Sequence, residues 1–591
     1  MPQRACVLFN FFLHRALLIC LTVVFVCSLF IMPNIGGEGL DLPFNVMVWA
    51  VVVLFIVATL IRGVINKQVY WAGLSFALLG VLLGWLVLGA VHTDWSRDAF
   101  IQTLFNFMVI VLFFWALFQY KLTQAQFSQL LLFFCLLGAL QSLIAVVQVH
   151  DLYRVLYTLV PYEAFRLTGA RPLGTFQQVN MLATFLAFTL VASLYLISSA
   201  LFLRGARIVK IGLFLCVLLS AYVLFLSGSR AGLLALWVGA SVMCLARYRG
   251  LWRHRTFFLV WLLMLSLGFF LSVFYSGRAD GVALLAQKTA QLSEGIRWSL
   301  YQQSWALFLE SPLTGLGIGN FPSLFGEHVL AHHLEPLQVS YWTHPHNELL
   351  YWMLQSGGGA LVLALLFMGY FFYRLFQSRR EFSLAILALL MPFIIQSQLS
   401  YPFSLSSLHL FIPLVLMYVA TRQYVSGYSF SMPAWGQISA IILLCAVAVV
   451  VVLSAWHSLK SIKELYIFEN SLFYTQFQTK EEIANQRYLQ HATYNLLYRE
   501  KAISAMNMMI KKAIKSNNQY DLNQFSAWAE KRGGKISQQS LESWAKVYWA
   551  QGKFSQVDAV LERLLRSYGV VLTRDRLQQE VEAIKTEADL R

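Results

Sequence analysis

Apolar stretches close to the roughly 20 residues that cross a bilayer as a helix recur along the chain. They lie at 16–32, 44–61, 70–91, 100–119, 127–149, 179–203, 208–226, 231–246, 257–275, 347–373, 383–398, 408–421 and 437–456. This pattern predicts about thirteen transmembrane helices, the two within 383–421 being short. Two of the polar segments between them are long, 150–178 and 276–346, and loops beyond about 15 residues are commonly functional or disordered. The longer one carries Trp298, Tyr301, Trp305 and Phe308 in amphipathic pieces suited to a membrane surface. After 456 the pattern changes. Trp544-Ala545, Trp549-Ala550, a turn at Gly552, then Phe554, Val557, Leu561, Leu564 and Leu565 recur at helical spacing. This is the pattern of one helical hairpin of the tetratricopeptide type, with a weaker copy near Tyr494–Met509. A small helical domain and a partner-docking surface both fit it. The expectation is an all-α polytopic membrane body over 1–456, with a large outer loop at 276–346, and a soluble helical, TPR-like domain over 457–591.

Composition agrees. The chain is 58% hydrophobic and 12% charged, with mean hydropathy +0.63, whereas soluble domains carry about a quarter charged residues. The tail from His457 holds 20 of the 44 basic and 15 of the 28 acidic residues. The net charge of +16 would suit nucleic acid, but the cations of the body sit in short loops between apolar runs, which is how membrane topology is written. No nucleic-acid partner is expected. The seven cysteines fall almost entirely inside apolar runs, with no CxxC, so neither a disulfide framework nor a zinc ribbon is read. The first apolar run follows Arg4 and Arg15 without a convincing cleavage site and is read as a retained helix.

Placing the N-terminus in the cytoplasm puts 16 of the body's 24 basic residues on that side, against one acid, Glu381. The outer face then holds twelve acids and eight cations: Arg97, Arg154, Arg166, Arg171, Arg230, Arg278, Lys288 and Arg297. An odd number of spans sends the tail to the outer side as well.

Several constellations on that outer face could carry chemistry. In Thr343-His344-Pro345-His346-Asn347-Glu348, Asn347 suits an N-cap and Glu348 a first turn. His346 thus precedes a helix N-terminus, whose positive end favours the neutral, proton-accepting imidazole. A histidine that only ends a loop is the plain alternative. Leu226-Ser227-Gly228-Ser229-Arg230-Ala231-Gly232 is a tight turn with an arginine against the charge trend. Its planar fork suits phosphate, although snorkelling to the interface would also account for it. Arg171 and Arg297 pose the same choice. Gly174-Thr175-Phe176-Gln177-Gln178-Val179-Asn180 and Tyr401-Pro402-Phe403 place polar groups at span ends, as packing glue or as ligands. Gly315-Leu316-Gly317-Ile318-Gly319 lacks a dinucleotide context. Gly357-Gly358-Gly359 reads as close packing within a span. His328 and His332 have helical spacing but no HExxH. No metal and no cofactor are expected, and without a Walker A motif a group transfer outside the cytoplasm needs a donor already activated in the membrane.

In this order the constellations resemble the bacterial O-antigen ligase and O-oligosaccharyltransferase superfamily. The likeness is carried by Arg171-Pro172-Leu173-Gly174-Thr175-Phe176 through Asn180, Ser229-Arg230-Ala231-Gly232, Arg297 with Trp305 and Pro312-Leu313-Thr314-Gly315-Leu316-Gly317, and His344-Pro345-His346-Asn347-Glu348-Leu349-Leu350. It covers roughly 150–420. The charged tail makes the chain most similar to the PglL/PilO-type protein O-oligosaccharyltransferases. The resemblance implies a GT-C-like, metal-independent membrane glycosyltransferase of the inner membrane, with site and tail in the periplasm. Its donor would be an undecaprenyl-pyrophosphate-linked oligosaccharide and its acceptor a serine or threonine of a pilin or other periplasmic protein. His346 would assist deprotonation of the acceptor. Arg230 and Arg297, with Arg171, would hold the pyrophosphate, and Gln178, Asn180, His344, Asn347 and Tyr401 would support the substrates. The family often has Pro-Asn where this chain has Val179-Asn180. Ligation to lipid A–core, O-polysaccharide polymerisation and, from another class, a lipid-glycan transporter or flippase stand as alternatives.

Overall fold

The computed structural model describes residues 15–34, 36–90, 97–150, 171–199, 204–276, 292–332, 342–473, 538–568 and 572–586, and scattered positions between 152 and 202 and between 492 and 526. It divides into two compact units: Met1–Met32 with Gly36–Leu453, and Ser454–Arg591 with Pro33–Ile35.

In the first unit, eleven helices among the described residues are long and apolar enough to cross a membrane, so this is a multi-pass membrane protein. Those used below are α1 (Pro43–Asn66), α2 (Gln124–Val149), α3 (Val179–Ile197), α4 (Arg207–Ser227), α5 (Arg230–Arg253), α6 (Gly358–Phe376), α7 (Arg380–Leu399) and α8 (Ala434–Phe473). Two further expected segments, 16–32 and 408–421, are the shorter apolar helices Arg15–Leu29 and Ser407–Thr421. Helix α3 is almost wholly buried and packs against α2, α4, α5 and α7. The membrane-crossing window of α8 buries nothing within the protein. Its Ile442, Leu443, Val450 and Leu453 are exposed, as expected where lipid is the solvent.

Two expectations are corrected. The span read as 347–373 is broken: a nine-residue helix, Glu348–Ser356, ends at Gly357, and the crossing helix α6 starts at Gly358. Gly357 has φ +73°, and a Cβ there would overlap the Leu313 carbonyl. The Pro312–Leu316 segment fills the break with backbone hydrogen bonds: Gly358 N–H donates to the Pro312 carbonyl at 2.7 Å and Leu316 N–H to the Leu354 carbonyl at 2.6 Å. Hydropathy passes through the break because both sides are apolar. The fold is also not purely helical. Gln68–Ala72, partly counted in span 70–91, pairs antiparallel with Val425–Ser429. Gln119 completes that corner, accepting from Tyr70 N–H at 2.8 Å and donating to the Tyr70 carbonyl at 2.7 Å.

In the second unit, helices Gln538–Ala550 and Phe554–Tyr568 form a hairpin about Gly552, and Arg574–Thr586 packs on the first. Trp544, Val557 and Leu564 are buried, while Phe554 and Leu565 are largely exposed. Most of Tyr494–Met509, the expected weaker copy, lies outside the described residues.

Candidate active site

One end of the first unit gathers segments distant in sequence. The turn at 173–175 is held by two amides of α2. Gln141 donates to Thr175 Oγ1 at 2.7 Å and accepts from Thr175 N–H at 3.1 Å, and Gln148 accepts from Gly174 N–H at 2.8 Å. These buried amides are satisfied by backbone that would otherwise be orphaned in an apolar setting. The turn leads through Gln178, the N-cap residue of α3, to Asn180, whose Oδ1 accepts from Ser229 Oγ at 2.8 Å. Ser229 caps α5, and Arg230 is that helix's first, exposed residue. Arg171 donates through Nε and Nη2 to the Ser227 carbonyl at 3.0 and 2.6 Å, satisfying the C-terminal end of α4. Arg171, Asn180 and Arg230 thus share one corner, with the Arg171 fork engaged by the protein. Arg154 and Arg166 lie outside the described residues.

The second group surrounds His346. Asn347 Oδ1 accepts from Leu350 N–H at 2.9 Å, the N-cap its sequence position suggested. Its Nδ2 donates to the Gln398 carbonyl at 3.1 Å. His346 itself has φ +57°, a left-handed conformation unusual for a side-chain-bearing residue and common where function over-determines the backbone. Tyr301 OH donates to its carbonyl at 3.1 Å. The His346 ring stands edge-on to Tyr401, centroids 5.1 Å apart, and to Trp342 at 5.9 Å. Its Nδ1 is buried with no hydrogen-bond partner, a state costing about 1–3 kcal/mol. Burial, and then the Arg297 guanidinium, push its pKa down to about 4, so the ring is neutral at ambient pH and able to accept a proton.

His344 is stacked flat on Tyr401, centroids 4.2 Å apart and planes within 1°, with Tyr351 on another side at 4.3 Å. Burial, and then His346, lower its pKa to about 3. The contact of its Nδ1 with Glu38 Oε2 at 3.6 Å is therefore a neutral imidazole beside a carboxylate rather than an ion pair. Glu348 lies in its helix's first turn, as expected, and its buried carboxylate also accepts from Phe403 N–H at 3.0 Å and from Ser404 N–H, fixing the turn that presents Tyr401. Burial raises its pKa to about 7 despite those bonds.

Helix α7 joins the two groups. Near its end Gln396 Oε1 accepts from Thr184 Oγ1 at 3.1 Å, and Thr184 lies one turn after Asn180 on α3, while Gln398 holds Asn347. A cavity of about 420 Å³ opens beside this junction, lined by Trp298, Tyr301, Trp305, Asn347, Leu350 and Gln398 among others. Trp298 and Trp305 are on helix Leu292–Glu310 with Arg297, which is exposed. Gly315, in the segment that fills the helix break, and Gly317 and Gly319 just after it all have positive φ. His328 pairs with Gln303 at 3.0 Å and lies 3.6 Å from Glu310.

Two participants were missed in the sequence, Glu38 and Asn45. Asn45, at the start of α1, donates to the Gly39 and Leu405 carbonyls at 2.6 and 2.9 Å and accepts from Ser407 N–H at 2.8 Å. It staples the Glu38 turn to the Tyr401 turn. A glutamate among glycines in a short loop, Gly36-Gly37-Glu38-Gly39, was the available signal.

Residues 214–365, about a quarter of the chain, match the family model for O-Antigen ligase (Wzy_C). The matched stretch contains Arg230, Arg297, His344 and His346, and leaves out Arg171, Asn180 and Tyr401. It supports the O-antigen ligase superfamily and a transferase of that kind. No curated protein matches the chain.

Proposed function

We propose that the protein is an O-oligosaccharyltransferase that moves a glycan en bloc from undecaprenyl pyrophosphate to a serine or threonine hydroxyl of a periplasmic protein such as a type IV pilin. The observation that carries this reading is His346: a neutral imidazole with an unpartnered Nδ1, beside Arg297 and a cavity, within the ligase-like stretch. In the reaction His346 takes the proton of the acceptor hydroxyl. The acceptor oxygen bonds to the anomeric carbon as the bond from that carbon to the pyrophosphate oxygen breaks. Undecaprenyl pyrophosphate leaves with the electron pair, and Arg230 and Arg297 meet its charge. A positioned base gives typically 10²–10⁴-fold, and pre-placed cations add a few kcal/mol. Residues 1–456 form the catalytic body in the inner membrane, and the tetratricopeptide-like tail from 457 is periplasmic and docks the acceptor.

The ligase-family match equally favours lipid A–core as the acceptor. Purified protein given lipid-pyrophosphate glycan with a pilin or with lipid A–core separates the two by product mass. Glycopilin is expected, and His346→Ala should abolish it. Glycosylated lipid A–core alone would replace the pilin by the lipid acceptor. Movement of intact donor across liposomes with no product from either acceptor would replace the enzyme by a transporter.

A further inference from the structure

Behind the two histidines the structure holds a hydrogen-bonded chain whose direction can be worked out from its end. Tyr401 OH is hydrogen-bonded with both Thr343 and the Glu38 carboxylate, and His344 Nδ1 lies 3.1 Å from Thr343 Oγ1. An ionised carboxylate only accepts. The Tyr401 hydroxyl therefore donates to Glu38, which leaves its oxygen to accept from Thr343. The Thr343 hydroxyl, having given its proton to Tyr401, accepts from His344 Nδ1–H. Each link orients the next, and such chains strengthen cooperatively in a low-dielectric site. Glu38 is itself held by a local turn, its side chain receiving the Asp41 backbone N–H and its own N–H reaching Asp41 Oδ2 at 3.4 Å. The staple from Asn45 clamps that turn to the Tyr401 turn, and Glu348 braces the latter from the other side.

We propose that Glu38 is a positioning residue for the transfer reaction. As the acceptor-only end of the chain Glu38–Tyr401–Thr343–His344, it fixes His344 as the Nδ1–H tautomer and locks the Tyr401 ring against which His346 stands. This rests on the proposed transferase function. It adds a residue from the first outer loop that makes no contact with the reacting atoms and acts through Tyr401 and His344. Glutamine at 38 would keep the shape but offer both donor and acceptor, so the chain could run in either direction.

The test is steady-state transfer by the full-length protein in detergent or nanodiscs, with imidazole ¹⁵N shifts of His344 as a second readout. Glu38→Gln should lower kcat about ten- to a hundredfold, leave the donor KM unchanged and mix the His344 tautomers. Glu38→Asp, retaining the acceptor-only charge, should recover part of the rate. With Tyr401→Phe the effects should be non-additive, the double variant being no slower than the slower single variant. Thermal melting of each variant separates this from misfolding, and Glu38→Asp carries the test if the glutamine variant does not fold. A wild-type rate in Glu38→Gln, a rise in KM alone, multiplicative double-variant losses, or an unmoved His344 tautomer would each overturn the positioning role. In those cases an inactive His346→Ala protein would leave the transferase reading standing. Wild-type protein that makes no product would instead overturn the transferase reading itself.

Discussion

At the residue scale, His346 joins a left-handed backbone, a buried unpaired nitrogen and a neighbouring guanidinium. Burial and the guanidinium favour the uncharged ring. With its pKa pushed down to about 4, His346 stays deprotonated as pH falls through the ordinary histidine range. The transfer rate it limits should therefore hold between about pH 7 and pH 5 and fail only nearer 4; a kcat–pH profile with its acid limb at 6.5 would contradict this. Glu348 shows the opposite displacement. Its folded pKa of about 7 stands above the ordinary 4.5, so the native state holds a proton that the unfolded chain has released in that interval. Raising pH through it costs stability. Glu348→Gln removes this dependence, so the variant should gain melting temperature relative to wild type as pH rises from about 5 to about 8, and paired thermal melts check it. The histidines, Asn347 and the arginines were visible because each broke a local expectation in a short motif. Glu38 was not, since its meaning comes from contacts with residues some 300 positions away, which no spacing encodes.

At the scale of elements, hydropathy located the crossing helices because their length and apolarity are imposed by the bilayer. It could not see an interruption flanked by apolar residues on both sides, and that interruption shapes the site. The break at Gly357 lets Glu348–Ser356 act as a separate short helix, with Asn347 as its cap and His346 at its mouth, while the Pro312–Leu316 loop satisfies the exposed backbone. Alanine at 357 meets two penalties, a positive-φ extended conformation (φ +73°, ψ −175°) that is essentially confined to glycine and costs about 1–3 kcal/mol, and overlap with the Leu313 carbonyl. Gly357→Ala should lower both the melting temperature and the transfer rate. Gly369→Ala, where a Cβ meets nothing within 4 Å, should melt at or above the wild-type temperature, since alanine is the better helix former by about 1 kcal/mol. The strand pair escaped notice for another reason. Five residues after a left-handed Lys67 carry no periodic signal long enough to read, and the partner strand is about 350 residues away.

At the scale of the whole molecule, the two loop sets separated by charge meet different neighbours. One set ties together basic loops: Arg62 lies over Tyr120, Arg374 over Tyr424, and Arg247 bonds Ser198 Oγ at 3.0 Å. The other set gathers Glu38, Asn180, Arg230, His346 and Tyr401. Residues allotted to one face by charge alone are thus joined by hydrogen bonds and ring contacts within that face, which a wrong alternation of spans would not produce. The positive-inside rule predicts the compartments, with the basic loops cytoplasmic and the histidine face outside. Single cysteines in a background lacking native cysteines test this directly. Leu313→Cys, at a position 82% exposed beside the helix break, should react with a membrane-impermeant maleimide in cells whose outer membrane has been opened, and Lys121→Cys only after the inner membrane is lysed. The reverse pattern would put His346 in the cytoplasm, away from any pilin, and would remove the ground for a periplasmic acceptor while leaving the geometry of the histidine site as it stands.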